Sequence, residues 1–407
     1  MADTTTAGTP RHQIVVAGAG YAGLHAILRL GAWLGDNHDD VELTLVDRYD
    51  YHQVLTELPR VAGGARAAED VRVPLREVLD KRVRFVQTLI SGFDFPKQQL
   101  LTGAGALPYT RLVLALGSRP NDFGIPGLAE RALTLWSVDD ARKVLAAIDT
   151  QVASAVHTDD RDEQSRRMTV VIGGGGATGV ELAGELAEEL PDIARRHGLD
   201  PTLVRVILID AGPSILAGSS PGLIERANGI LRDLGVEVRT NSLIARATED
   251  GFVLKSGDTI RGGVFVWAGG VKAPELVSGS GLPVGNNGRV KVDQYLRALD
   301  HPEIYVAGDL ASVTDPDTGR AFPPTAQVAL AEGKTVATNL FAEIEGRPLE
   351  SFEYDSKGLV VSVGPRSGVA DVGGRTIGGR LAHLLKDAIE WEYRQSVKHL
   401  RGWSAIG

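Results

Sequence analysis

Two glycine-rich runs carry the clearest chemical signal in this 407-residue chain. Residues 13–23 read QIVVAGAGYAG and residues 169–179 read TVVIGGGGATG. Each is an apolar run leading through G-x-G-x-x-G into helix-forming sequence, the order that presents backbone N–H groups to a pyrophosphate at a helix N-terminus. In the first run Gly18 permits the tight turn and Gly20 lets the backbone meet phosphate. Tyr21 and Ala22 lie in the turn, and Gly23 lets the following helix pack closely on the strand. Gly174, Gly176 and Gly179 repeat those roles around Ala177 and Thr178.

A second apolar run follows each glycine cluster and ends in an acid. VELTLVD ends at Asp47, with Arg48 next, and VRVILID ends at Asp210. A carboxylate there accepts hydrogen bonds from ribose hydroxyls and repels a 2′-phosphate. The residues after Asp210 are Ala211, Gly212, Pro213 and Ser214, with no arginine to neutralise such a phosphate. NADH is therefore expected over NADPH at the second site.

Further segments must return the chain to these turns. TRLVLALGSRP reads as a strand ending at Ala115, Leu116 and Gly117, and GGVFVWAGGVKAP as one ending at Trp267, Ala268, Gly269 and Gly270. EIYVAGDLASV delivers Gly308 and Asp309, an acid that either bonds a polyol or caps a helix. PPTAQVALAEG, residues 323–333, reads as a helix started by Pro324, capped by Thr325 and carrying Ala326 and Gln327. The polar stretch HTDDRDEQSRR, residues 157–167, reads as a surface connection. The expected fold class is α/β, with two Rossmann-like dinucleotide-binding units.

Composition narrows the chemistry. Hydrophobic residues make up 43% of the chain and charged residues 23%, as in globular proteins. A net charge of −9 argues against nucleic-acid binding, which needs a basic footprint. With no cysteine there is no disulfide, thiolate nucleophile or iron–sulfur cluster. The nine histidines form no H-x-x-x-H pair, so no metal site is expected. The polar N-terminal run and the lack of an 18-residue apolar stretch point to a cytoplasmic protein without a spanning helix. Residues 381–403 place Leu381, Leu385, Ile389, Tyr393, Val397 and Leu400 at helical spacing. Trp391 and Trp403 add amphipathic rings, and Arg394, Lys398 and Arg401 make the end basic. That is an amphipathic helix for a membrane surface, or one that covers a domain or forms a dimer contact.

The order GAGYAG, LALGSRP, GGGGATGVE, WAGG, VAGDLA resembles the two-dinucleotide-binding-domain flavoproteins over nearly the whole chain. In that family the first unit binds FAD and the second, inserted in the first, binds a nicotinamide nucleotide. The disulfide-reductase and sulfide-oxidising branches use cysteines that are absent here. DYHQVLTEL (50–58), GGGGATGVELAGEL (173–186), FVWAGGV (265–271) and PPTAQVAL (323–330) are similar to the type II NADH:quinone oxidoreductases.

This resemblance implies an FAD-containing, single-subunit respiratory enzyme that pumps no protons. It would lie peripherally on the cytoplasmic side of the cell membrane and reduce menaquinone or ubiquinone, with a homodimer plausible. It implies FAD-binding segments 1–115 and 285–345, an NADH-binding segment 116–284, and a C-terminal membrane-docking or dimerisation module 346–407. Glu181 is implied near nicotinamide and flavin, Gln327 at the flavin or a quinone carbonyl, and Lys386 approaching the flavin from the last helix. The family's quinone segment, A-Q-x-A-x-Q-x-G, is matched at Ala326, Gln327, Ala329 and Gly333, while Ala331 replaces the second glutamine. That replacement keeps open a soluble NADH-dependent reductase of a small electron-transfer protein, and an NADH-responsive flavoprotein with a binding role.

Overall fold

The computed structural model describes residues 11–35, 38–316 and 318–399. In chain order the elements that matter for the site begin with β1 (His12–Ala17), α1 (Tyr21–Leu34), β2 (Val41–Asp47), α2 (Leu58–Gly63), β3 (Val83–Gln87) and β4 (Arg111–Leu114). Next come β5 (Leu133–Thr134), α3 (Val138–Ala155), α4 (Arg161–Arg167), β6 (Thr169–Gly173), α5 (Ala177–Arg196), β7 (Arg205–Ile209), β8 (Glu237–Arg239) and β9 (Val264–Trp267). The chain finishes with β10 (Arg297–Ala298), β11 (His301–Val306), α6 (Ala326–Ile344), β12 (Leu359–Ser362), β13 (Gly368–Val372), β14 (Arg375–Gly378) and α7 (Arg380–His399).

Two open sheets follow from this order. One runs β10-β11-β4-β1-β2-β3, parallel except at its β10 edge. The other, β5-β9-β6-β7-β8, is wholly parallel. Parallel strands are covered on both faces, which is why β1, β6 and β7 are near-continuous runs of Ile, Val and Leu. The second sheet is thus inserted between β4 and β10 of the first, giving the α/β fold of two Rossmann-like units. Two short strands, Arg119–Pro120 and Val271–Lys272, pair where the chain enters and leaves the inserted unit. A third, antiparallel sheet, β12-β13-β14, carries α7.

The surface connection at residues 157–167 contains a helix, α4, with no buried residue. Asp160 caps it, accepting from the N–H groups of Asp162 and Glu163, and Glu163 pairs with Arg166 and Arg167 one turn on. Caps and (i, i+3), (i, i+4) pairs sustain a short polar helix without a buried face.

Candidate functional site

The first glycine turn has the geometry a dinucleotide needs. Gly18 has φ +107°, and a Cβ there would lie 2.3 Å from the Ala115 carbonyl oxygen. A Cβ on Gly23 would lie 2.0 Å from the Gly18 carbonyl oxygen, so helix and strand meet backbone to backbone. Around Gly20 a Cβ would touch nothing within 4 Å, which leaves that side of the turn open to phosphate. Asp47 braces the loop: its carboxylate accepts from the Ala19 N–H at 2.7 Å and the Tyr49 N–H at 2.8 Å. Burial nevertheless raises its pKa.

Gly18, Gly20, Asp47, Arg48, Gly117 and Asp309 all line one cleft of about 530 Å³. The Arg48 guanidinium stacks between the rings of Tyr49 (4.7 Å) and Trp136 (5.0 Å), and Arg119 stacks on Trp136 at 4.1 Å. Trp136 and Arg119 were not expected at the site. The only signal for either was the arginine of LGSRP. Asp309 accepts from Ser118 Oγ at 2.7 Å and lines the cleft. The buried Glu332 carboxylate accepts from the Gly308 N–H and so holds the turn that presents Asp309.

The second turn repeats the plan. Gly174 has φ +114°, a Cβ on Gly179 would lie 1.9 Å from the Gly174 carbonyl oxygen, and Gly176 is open. Gly176, Ala177 and Thr178 are exposed at the N-terminus of α5, where helix N–H groups and the dipole favour an anion. Asp210 accepts from the Gly175 and Gly212 N–H groups, each at 2.6 Å. Gly269 packs on the Trp267 ring and Gly270 has φ +135°, at the mouth of this turn.

Glu181 and Lys386 come together. Lys386 Nζ lies 3.2 Å from Glu181 Oε1 and 3.4 Å from Glu390 Oε1, with all three side chains largely buried. The Ser362 N–H of β12 donates to Glu181 at 3.1 Å. Burial raises the Glu181 pKa despite the ammonium beside it. Burial alone would lower that of Lys386, but the two carboxylates outweigh it and keep the lysine charged. One turn along α5, Glu185 is fully buried with Arg60 Nε 3.8 Å away, and burial pushes its carboxyl up to about 7.

On α6, Thr325 caps the helix by accepting from the Val328 N–H, and Ala326 is its first residue. Gln327 donates to the Gly358 carbonyl at 3.1 Å and accepts from Tyr354 Oη at 3.2 Å. Tyr21 is buried under the turn, its ring against His52 and Tyr393 and its hydroxyl 3.2 Å from Thr56 Oγ1.

The last helix packs on the body of the protein through a partly charged face. Tyr393 and Val397 are buried, but Leu381 and Ile389 are exposed and Leu385 is half-buried. The inner face is Ala382, Lys386, Glu390, Tyr393 and Val397. Charged groups occupy it because they pair with the body of the protein, which frees Leu381, Leu384 and Trp391 to face outward. Arg394 is no free cation either: it bonds Glu57 at 3.0 Å and the Asp70 carbonyl. Leu400, Arg401 and Trp403 lie outside the described residues.

Residues 12–333 match the family model described as Pyridine nucleotide-disulphide oxidoreductase. A type II NADH:quinone oxidoreductase of Staphylococcus saprophyticus is 33% identical over 384 residues, covering 93% of this chain and 94% of the relative. One from Staphylococcus aureus is 32% identical over the same shares.

This chain belongs to the type II NADH:quinone oxidoreductases.

The fold agrees. The structure of NDH2 from Plasmodium falciparum in complex with NADH superimposes with a TM-score of 0.85 at 18% identity, covering 96% of each chain. The sulfide:quinone oxidoreductase of Aquifex aeolicus gives 0.78 at 19% identity, over 96% of this chain and 92% of that one. For a type II NADH:quinone oxidoreductase, two matches in the quinone segment have packing reasons. A Cβ on Gly333 would lie 2.4 Å from the Ala22 carbonyl oxygen, and Ala329 packs near Gly308. These residues let α6 approach α1 and the Gly308 turn. Among the described residues no helix is long and apolar enough to cross a membrane, and no acid or histidine group is clustered to hold a metal.

Proposed function

We propose that this protein takes a hydride from NADH through FAD and passes two electrons to a membrane quinone. Its coarser part, an NADH-using, FAD-dependent oxidoreductase, is carried by family membership. FAD, when bound, supplies the hydride acceptor and the two-electron chemistry. The chain supplies position and electrostatics. Gly20 and the α1 N-terminus would take the FAD pyrophosphate, Asp47 the adenosine ribose and Asp309 the polyol. Gly176 with Ala177 and Thr178 would take the pyrophosphate of NADH, and Asp210 its ribose. The N-terminus of α6 would direct N–H groups at the charge that develops on reduction. Domain limits near residues 115, 285 and 345 belong to the same reading.

One observation carries the exit to quinone. Glu181 meets strand β12 of the C-terminal sheet at Ser362, and Gln327 meets Gly358 just before its other end. Four residues of extended chain span about 13 Å, so the residue expected to meet quinone and the one expected near nicotinamide are tied to the same short segment. The outward Leu381, Leu384 and Trp391 give that module an apolar face for the membrane surface. An anaerobic two-step experiment tests the reading: NADH should bleach the bound flavin, and a short-chain quinone should restore its colour. Ala331 favours a second reading, a soluble reductase of an electron-transfer protein, if a reduced flavin persists with quinone and is reoxidised only by such a protein.

A further inference from the structure

Ala19 is held through both of its backbone polar groups. Its N–H donates to Asp47 Oδ2 at 2.7 Å, and its carbonyl lies 2.8 Å from His52 Nδ1. A carbonyl only accepts, so Nδ1 carries the proton and Nε2 is left as the acceptor. Tyr393 Oη, 2.7 Å from Nε2, is then the donor. His52 is 1% exposed, Tyr393 is 9% exposed, and Tyr21 closes the cluster with its ring edge-on to His52 at 5.1 Å. Burial keeps the imidazole neutral by lowering its pKa to about 4, the state this arrangement requires.

In a planar trans peptide the carbonyl and the following N–H point in opposite directions, and none of the described peptide bonds is cis. Holding the Ala19 carbonyl against His52 therefore turns the Gly20 N–H the other way. Gly20 is exposed on the cleft, with room on that side. We propose that His52 is a positioning residue that aims the Gly20 N–H at the FAD pyrophosphate, and that Tyr393 of the last helix sets its tautomer and angle. The C-terminal module thereby contributes to flavin binding through a buried three-part chain, Tyr393 to His52 to the Ala19 carbonyl. This rests on the assignment of FAD to the first glycine turn.

The test is the rate of FAD release from the purified holoenzyme, followed by the fluorescence of freed flavin, alongside the melting temperature of each variant. His52→Phe fills the volume without a donor, and His52→Asn restores an N–H near the Nδ1 position. A misaimed phosphate donor is a lost charge-assisted hydrogen bond, so His52→Phe should speed release about tenfold or more. His52→Asn should recover most of that. Tyr393→Phe should speed release about threefold, and it carries the test if His52→Phe does not fold. Unchanged release in His52→Phe, or equal loss in the Phe and Asn variants, assigns His52 to packing and overturns the proposal. Should His52→Phe fail to fold, unchanged release in Tyr393→Phe overturns it as well. Asp47→Asn is the separate control: if it leaves FAD release unchanged, the assignment of FAD to this turn fails and the proposal falls with it.

Discussion

Lys386 Nζ sits 3.2 Å from Glu181 Oε1, tying the last helix to the helix that opens the second glycine turn. Glu390 completes a buried group of one cation and two carboxylates. Removing the cation strands both acids in a poorly solvated site. Lys386→Met should therefore destabilise the protein by about 3–5 kcal/mol, the usual cost of an uncompensated buried charge. Lys386→Met with Glu181→Gln should cost less than the single lysine change, because one stranded carboxylate is gone. Urea unfolding of the two variants checks this; additive losses would contradict it.

Asp210 accepts from the N–H groups of Gly175 and Gly212, and in the proposed donor site its carboxylate would repel a 2′-phosphate. Asp210→Ser should lower kcat/KM for NADH about tenfold to a hundredfold, as two charge-assisted bonds and the ribose contacts weaken. Use of NADPH should rise relative to NADH. Steady-state kinetics with each nucleotide reads the ratio, and an unchanged preference would remove Asp210 from the donor site.

Glu185 gives a stability effect with a defined sign. Burial raises its folded pKa to about 7, from an ordinary carboxylate value when unfolded. Its contribution is complete below the unfolded value and is lost as pH rises through about 7, where the folded state must hold a buried charge. Glu185→Gln should therefore melt higher than wild type at pH 8 and show no such gain at pH 5. The difference is of order 2–3 kcal/mol at most. Melting curves at both pH values decide it.

The outward face of α7 makes a separable prediction. Leu381 and Leu384 are each 62% exposed and Trp391 is 65% exposed. Leu384→Ser with Trp391→Ser should weaken sedimentation with anionic lipid vesicles about tenfold or more, through lost apolar burial. The melting temperature should hold, since neither side chain supports the core. Unchanged vesicle binding would assign this face to another contact.

The nucleotide turns were legible in the sequence because their demands are local. Gly18 needs positive φ, Gly23 needs backbone contact, and Asp47 must end the next strand, all within a few dozen residues. The network around His52 was not legible, because Tyr393 and Ala19 reach it from opposite ends of the chain. Which way the last helix faces was not legible either. Its spacing gave an amphipathic helix, but the pairing of Lys386 with Glu181, which with Glu390 sets the inner side, is made across the fold. Nor did the surface connection at residues 157–167 announce its helix, which rests on the Asp160 cap and the pairing of Glu163 with Arg166 and Arg167.

The central claim is that electrons leave to a quinone beside Gln327. Its most direct measurement is anaerobic NADH oxidation by the FAD-loaded protein with a short-chain menaquinone or ubiquinone analogue, in wild type and in Gln327→Leu. Fast, quinone-dependent turnover is expected in wild type. In Gln327→Leu the quinone KM should be raised about tenfold while bleaching of the flavin by NADH keeps its rate, since one lost polar contact is worth about that factor. Rapid bleaching without quinone turnover in wild type, or an unchanged quinone KM in the variant, would contradict it.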